Sequence, residues 1–143
     1  MATVLDVAKY ILEHAGEMTA MKLQKLAYYS QAWSLVWEDA PLFENKFEAW
    51  ANGPVSPTLY AQHRGQFRVD AGSMPGDSAV LTPTERETID RVLDVLKDKT
   101  GLWLSDLTHR EHPWLDARGD AAPTERRNTE ITIASMYEYY SSL

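Results

Sequence analysis

The chain has 143 residues, no cysteine and a formal net charge of −7. That length suits a single domain spanning 1–143, able to bury roughly two-thirds of its unfolded surface without staples. The missing cysteine excludes disulfides, thiolate nucleophiles and cysteine-based zinc sites, and the acidic balance lacks the electrostatic footprint of a nucleic-acid binder.

The amino terminus, Met1-Ala2-Thr3-Val4-Leu5-Asp6, has no basic start and no long apolar core. It does not read as a secretory signal. The charge-free stretch from Leu26 to Trp37 is too short to span a bilayer. The expectation is a soluble cytoplasmic protein. Val4, Leu5, Ala8, Ile11, Leu12 and Ala15 recur at helical spacing and predict a first amphipathic helix, ended by Gly16. Thr19 is placed to cap a second helix over Met21 to Trp37, whose apolar residues cover more than one face. A helix apolar nearly all round is buried in its protein, so this one is expected at the centre, with Trp33 in the core.

Glu38 to Pro41 reads as a turn, after which Leu42 and Phe43 return to the core. Phe47 to Ala51 is a candidate strand broken by Asn52-Gly53-Pro54. Ser56 as cap and Pro57 in the first turn predict a short helix through Arg64. Gln66 to Asp70 alternates and could pair with Phe47 to Ala51, followed by a mobile loop over Gly72 to Ser78. Thr82-Pro83-Thr84-Glu85 is a capping-box helix start, with Ile89, Val92, Leu93 and Leu96 as its buried stripe. Gly101 is expected to lie beyond its end. Short helical pieces follow over Leu102 to Leu107 and after Pro113, then an exposed polar stretch from Gly119 to Asn128. A last helix carries Ile133, Met136, Tyr137 and Tyr140. The fold class predicted is mainly α: a compact single-domain helical bundle around a buried central helix, with at most a small β-hairpin.

His109, Glu111 and His112 are residue types that ligate first-row metals. Pro113 disfavours helical backbone at His112, and no third strong ligand group is evident, so no metal and no cofactor are expected. Thr108 and His109 are better suited to bonding a chain reversal that Trp114 anchors. Trp50 is expected in the core beside the Gly53–Pro54 turn, leaving Asn52, Ser56 and Thr58 exposed. Tyr137 and Tyr140 share a helix face that Tyr139 does not, which makes Tyr139 the exposed candidate of the three. A DNA-reading helix using Lys22, Gln24 and Lys25 would need a polar face along its length, and Leu26 to Trp37 offers almost none. There is no nucleophile elbow, phosphate-binding glycine loop or metalloprotease pair, so no catalytic residue is assigned and the chain is not expected to be an enzyme.

Three separated pieces carry more than the pattern does. They are Met18 to Trp33 (Met-Thr-Ala-Met-Lys-Leu-Gln-Lys-Leu-Ala-Tyr-Tyr-Ser-Gln-Ala-Trp), Phe47 to Tyr60 (Phe-Glu-Ala-Trp-Ala-Asn-Gly-Pro-Val-Ser-Pro-Thr-Leu-Tyr) and Leu107 to Trp114 (Leu-Thr-His-Arg-Glu-His-Pro-Trp). In that order, with Pro41-Leu42-Phe43 between the first two, they resemble the Panacea domain, the SocA-like or GepA-like antitoxin domain. Ser34, after Trp33, and the Gln66 to Val80 segment depart from that pattern. The resemblance implies an antitoxin of a toxin–antitoxin pair in the bacterial cytoplasm, often on a prophage or other mobile element. It would neutralise a cognate protein toxin, encoded by an adjacent gene, through direct protein–protein binding, with no direct nucleic-acid or membrane contact. A homo-oligomer or a toxin–antitoxin hetero-oligomer is compatible with this. Two alternatives are a proteolytic adaptor that delivers its partner to a cytoplasmic protease and a small enzyme using His109 and His112. The candidate partner-binding residues are Asn52, Gly53, Pro54, Ser56, Thr58 and Tyr139. The candidate structural residues are Trp33, Trp50, Thr108, His109, Pro113 and Trp114.

Overall fold

The computed structural model describes all 143 residues. Helix α1 (Val4–Ala15) leads through a two-residue strand β1 (Met18–Thr19) into the long helix α2 (Ala20–Glu38). A hairpin follows, β2 (Phe47–Trp50) and β3 (Gly53–Val55), then α3 (Pro57–His63) and β4 (Arg68–Val69). Two 3₁₀ turns (Ala71–Ser73 and Ser78–Val80) precede α4 (Pro83–Leu96), α5 (Gly101–Thr108) and α6 (His112–Arg118). Strand β5 (Glu130–Ile131) and helix α7 (Ile133–Ser141) complete the chain. Helix accounts for 57% of residues, well above the usual third, and the mainly-α class follows.

The central helix is α2. Thirteen of its nineteen residues are buried, and α1, α4, α5 and α7 pack around it. Leu23, Leu26, Ala27, Tyr28 and Ala32 have no accessible surface and join one core of 33 buried residues. Trp33 lies at the edge of that core, half-buried, stacked on Trp37 at 5.3 Å and 5.7 Å from Tyr140. Capping accounts for the helix starts. Thr3 and Thr82 form capping boxes with Asp6 and Glu85, and Thr19, Ser56, Thr100 and Thr132 each accept a bond from the third residue beyond.

Two buried glutamines explain how segments without regular structure are held against α2. Gln24 and Gln31 are seven residues apart, so they share one helix face. Gln31 accepts from Leu42 N at 2.7 Å and donates to Phe43 O at 2.9 Å. Gln24 accepts from Ser56 N at 2.9 Å and donates to Ser56 O at 3.2 Å. Each amide satisfies a main-chain donor and acceptor that would otherwise be buried unpaired.

The strand pairing differs from expectation. The segment around Arg68–Val69 pairs with Met18–Thr19, and β2 instead pairs with β3 and β5 in a three-stranded sheet ordered β3-β2-β5. The hairpin turn of Ala51 and Asn52 already provides β2 with a local partner, while the second edge of β2 takes the distant β5. Pro54 is tolerated because β3 is an edge strand. The Gly72–Ser78 segment is docked, not loose: Lys9 Nζ donates to Ala71 O at 2.6 Å and Met74 is buried. Gly101 begins α5 and does not end α4, because Thr100 caps at that point. Helix α6 starts at His112, one residue before Pro113. Pro113 occupies the first turn, where its missing N–H costs no hydrogen bond.

Glu111 precedes α6 without capping it through its side chain. Its carboxylate instead turns inward. Tyr29 and Tyr140 hydroxyls donate to Oε1 at 2.6 and 2.7 Å, and the Tyr140 hydroxyl lies 3.1 Å from that of Tyr28. Burial raises the Glu111 carboxyl above its ordinary value, and the two tyrosine bonds pull it partway back. A carboxyl raised in the fold binds its proton more tightly there than in the unfolded chain. Its contribution is therefore largest at acid pH and is lost as pH rises through the folded-state value. Glu111→Gln keeps an acceptor for both hydroxyls and removes the titration. Urea unfolding from about pH 4 to about pH 7 is expected to show the variant gaining stability relative to the parent as pH rises. A constant difference would contradict the buried carboxyl.

Candidate functional site

The three sequence pieces meet at the turn between β2 and β3. Five of its main-chain carbonyls meet side chains of neighbouring elements. Four accept a side-chain donor, and the fifth lies against an imidazole nitrogen. Arg118 Nη1 donates to Ala49 O at 3.2 Å, and Trp114 Nε1 to Trp50 O at 2.8 Å. His109 Nε2 lies 2.9 Å from Ala51 O, and Ser105 Oγ donates to Asn52 O at 2.6 Å. Lys25 Nζ donates to Pro54 O at 3.2 Å. The donors come from α5 and α6 on one side and α2 on the other. These side chains tie the turn to the three helices around it.

Gly53 sits where the donors converge, with φ +116°. A Cβ there would lie 2.6 Å from Lys25 Cε and 2.9 Å from Thr108 Oγ1. The glycine thus serves two ends at once. It adopts a conformation L side chains avoid, and it leaves the room through which Lys25 reaches Pro54. Thr108 donates to Ser105 O at 2.7 Å, and His109 Nδ1 lies 2.6 Å from the same oxygen, so the end of α5 is braced where it touches the turn. The His109 and Trp114 rings pack with centroids 4.1 Å apart.

Lys25 is the unusual member. It is 1% exposed and no carboxylate pairs with it. Desolvation pushes its ammonium down from 10.5 to about 7. His63, 3.0 Å from Gln24 Nε2, is also pushed down, first by burial and further by the charge of Lys25. In the sequence Lys25 stands out only beside Lys22 and Gln24, as a residue that a DNA-reading helix would use. Its place on a helix read as buried is the signal that could have found it.

The sequence candidates divide by burial. Asn52 and Thr58 are exposed. Gly53, Pro54 and Ser56 are buried, so Ser56 is not the exposed residue expected; its N–H and carbonyl are held by Gln24 and its hydroxyl caps α3. Trp50 is half-buried and not a core residue: its indole N–H donates to Glu48 at 2.9 Å and its ring meets Tyr60 at 4.9 Å. Among the tyrosines Tyr140 is buried and Tyr139 half-buried, edge-on to Tyr140 and to His112. The exposed one is Tyr137. Helix α7 is rolled so that Met136, Tyr139 and Tyr140 face inward, because Tyr140 must reach Glu111. His112 faces Asp116 at 3.7 Å on the surface while His109 is used at the turn, so the two imidazoles do not converge. No group of three or more His, Cys, Asp or Glu is arranged to hold a metal ion.

Beside the turn lies an open cleft of about 830 Å³. Its floor is Lys25 and Gln24 of α2, one wall is Trp50 with Tyr60, and Arg64, Arg126 and Arg127 stand around it. No acidic residue lines it.

Two substitutions test this geometry. Gly53→Ala is expected to cost about 1–3 kcal/mol in denaturant unfolding, since both the backbone angle and the contact with Lys25 oppose it; a neutral result would show that the turn relaxes freely. Lys25→Met probes the buried cation. A lysine whose folded value lies below its unfolded one holds its proton less tightly in the fold, so stability is lowest below about 7 and recovers as pH climbs toward 10.5. The variant is therefore expected to exceed the parent by several kcal/mol near pH 6 and by less near pH 9. An advantage that does not shrink would place the amine in water.

A family model described as antitoxin SocA-like, Panacea domain, matches residues 23–115. No curated protein and no solved structure matches the chain. The matched span starts in α2, two residues before Lys25, and ends one residue after Trp114, so it encloses most of the donors that hold the β2–β3 turn together with the turn itself. On that match over well more than half its length, the chain belongs to the SocA-like Panacea antitoxin family.

Proposed function

We propose that this chain neutralises a cognate protein toxin, encoded by an adjacent gene, by binding it stoichiometrically in the cytoplasm. Family membership carries the reading. The residues that define the match support it, because they are spent on holding a turn and not on presenting a nucleophile, acid or metal ligand. No helix is long and apolar enough to cross a membrane.

The surface beside the braced turn is the proposed contact region. Asn52 and Thr58 are its exposed side chains, with Gly53, Pro54 and Ser56 fixing their backbone from below. A rigid loop loses little conformational entropy on association, which favours its use in recognition. Tyr139, beside His112, is proposed in the same role, with its partly exposed ring as an aromatic anchor. The net charge of −7 favours encounter with a basic toxin surface and acts mainly on association rate.

Co-expression with the product of the neighbouring gene is expected to restore growth. The purified chain alone is expected to inhibit the purified toxin at a fixed molar ratio. Asn52→Arg and Thr58→Arg together should weaken the complex by about tenfold or more without changing the melting temperature. Rescue in cells without inhibition by the purified chain would favour delivery to a protease. Failure of both with the cognate toxin would remove the assignment.

A further inference from the structure

We infer that the cleft beside the β2–β3 turn binds a small phosphorylated ligand with a planar ring, a nucleoside phosphate. This goes beyond the proposed toxin binding and does not rest on it. Four observations carry it.

The first is charge. The protein as a whole is acidic, yet Lys25, Arg64, Arg126 and Arg127 surround one cavity that has no acidic residue in its lining. Arg127 is held by Asp120 at 3.1 Å and Glu125 at 2.7 Å, which fixes its guanidinium in place. Arg64 and Arg126 are exposed and make no ion pair, although carboxylates are abundant elsewhere on the surface. Lys25, Arg64 and Arg126, three cations without counter-charges around one concavity, focus an anion there.

The second is the floor. Lys25 is buried, and its nitrogen donates to a single acceptor, Pro54 O. An ammonium carries three N–H groups, so two have no protein acceptor. An anion in the cleft above would supply a counter-charge close to this ammonium. Burial is what lowers the lysine value, and a nearby anion would favour the charged form.

The third is the wall. Trp50 and Tyr60 are both half-buried, with centroids 4.9 Å apart, and they line the cavity. Aromatic faces at a basic groove are the usual platform for a base, and Asn52 and Asn128 on the same lining offer amides for its edge. The fourth is size. About 830 Å³ lies in the range of small-molecule sites and is far too small to seat a folded partner.

The test is titration calorimetry on the purified full-length chain without any partner, so its outcome is independent of whether the toxin assignment holds. ATP and GTP are expected to bind with one site per chain, tightening as salt is lowered. Inorganic triphosphate should bind at least about tenfold more weakly for want of the ring, and adenosine should give no heat. Arg64→Ala with Arg126→Ala, both at exposed positions and expected to leave the melting temperature unchanged, should weaken ATP by about tenfold or more. Trp50→Leu should weaken ATP but leave triphosphate unaffected. The inference is overturned if neither nucleotide gives heat at millimolar concentration, if triphosphate binds as tightly as ATP, if the double arginine variant binds as the parent does, or if a polyglutamate peptide binds more tightly than both nucleotides.

Discussion

The β2–β3 turn imposes the constraint from which the rest of the structure follows. A reversal this tight buries carbonyl oxygens that cannot be satisfied within the hairpin, and an unpaired buried carbonyl costs as much as a lost hydrogen bond. Donors must therefore be brought from elsewhere, and they come from α2, α5 and α6, which are far apart in sequence. Bringing those helices to one point fixes their mutual placement. The bundle packs around α2, and the hairpin ties α2 to α5 and α6 although it contributes few residues. The spacing of the sequence pieces reflects this: each donor or acceptor is anchored to a helix or turn whose position the others determine.

The same logic sets what could be read in advance. Helix starts were legible because their signals are local: a Thr or Ser, and a residue three places on that closes the cap. The central position of α2 was legible because no charge interrupts Leu26 to Trp37. Strand partners were not, since a two-residue strand such as β4 has no pattern of its own and pairs with whatever edge the tertiary fold presents. The site was legible only as a set of residue types. That Thr108, His109 and Trp114 brace a reversal follows from their chemistry, but that the reversal belongs to residues 49–54 and not to their own segment is a three-dimensional fact. Ser56 was read as exposed, and Lys25 and Gln24 were given no structural role, for one reason: their buried partners are mainly backbone groups, which leave no mark in a sequence.

Two ionisable groups are buried in this molecule with opposite consequences. Glu111 gains stability from its proton and loses it as pH rises; Lys25 is relieved by losing its proton as pH rises. Glu111 is bonded by Tyr29, one turn along α2 from Lys25, and the two differ in how their surroundings are completed. Glu111 has two tyrosine hydroxyls within 2.7 Å, so its polar needs are met inside the fold. Lys25 has one carbonyl acceptor and lies buried under the lining of the cleft. A completed network of this kind rigidifies the interior. An incomplete one, beside a cavity, costs stability without a structural return that the fold itself displays, and costs of that kind are found where something binds.

The distribution of the cleft residues bears on whose property that binding would be. Lys25, Trp50 and Tyr60 fall inside the span that the family model matches, as does Arg64. Arg126, Arg127 and Asn128 fall outside it, on the polar segment between α6 and β5. That segment is held from beneath by Arg118, which donates to Ala122 O at 2.6 Å and to Glu125 O at 2.9 Å while also reaching the turn at Ala49 O. One buried guanidinium thus ties the braced turn to the stretch that completes the rim. The floor and aromatic wall come with the matched scaffold, whereas two of the four cations come from this chain's own extension. A ligand that needs both the ring platform and the full charge is then selected by a combination of shared and individual residues. Asn52 lines the cleft and also belongs to the surface proposed for the protein partner, so the two uses meet at the turn.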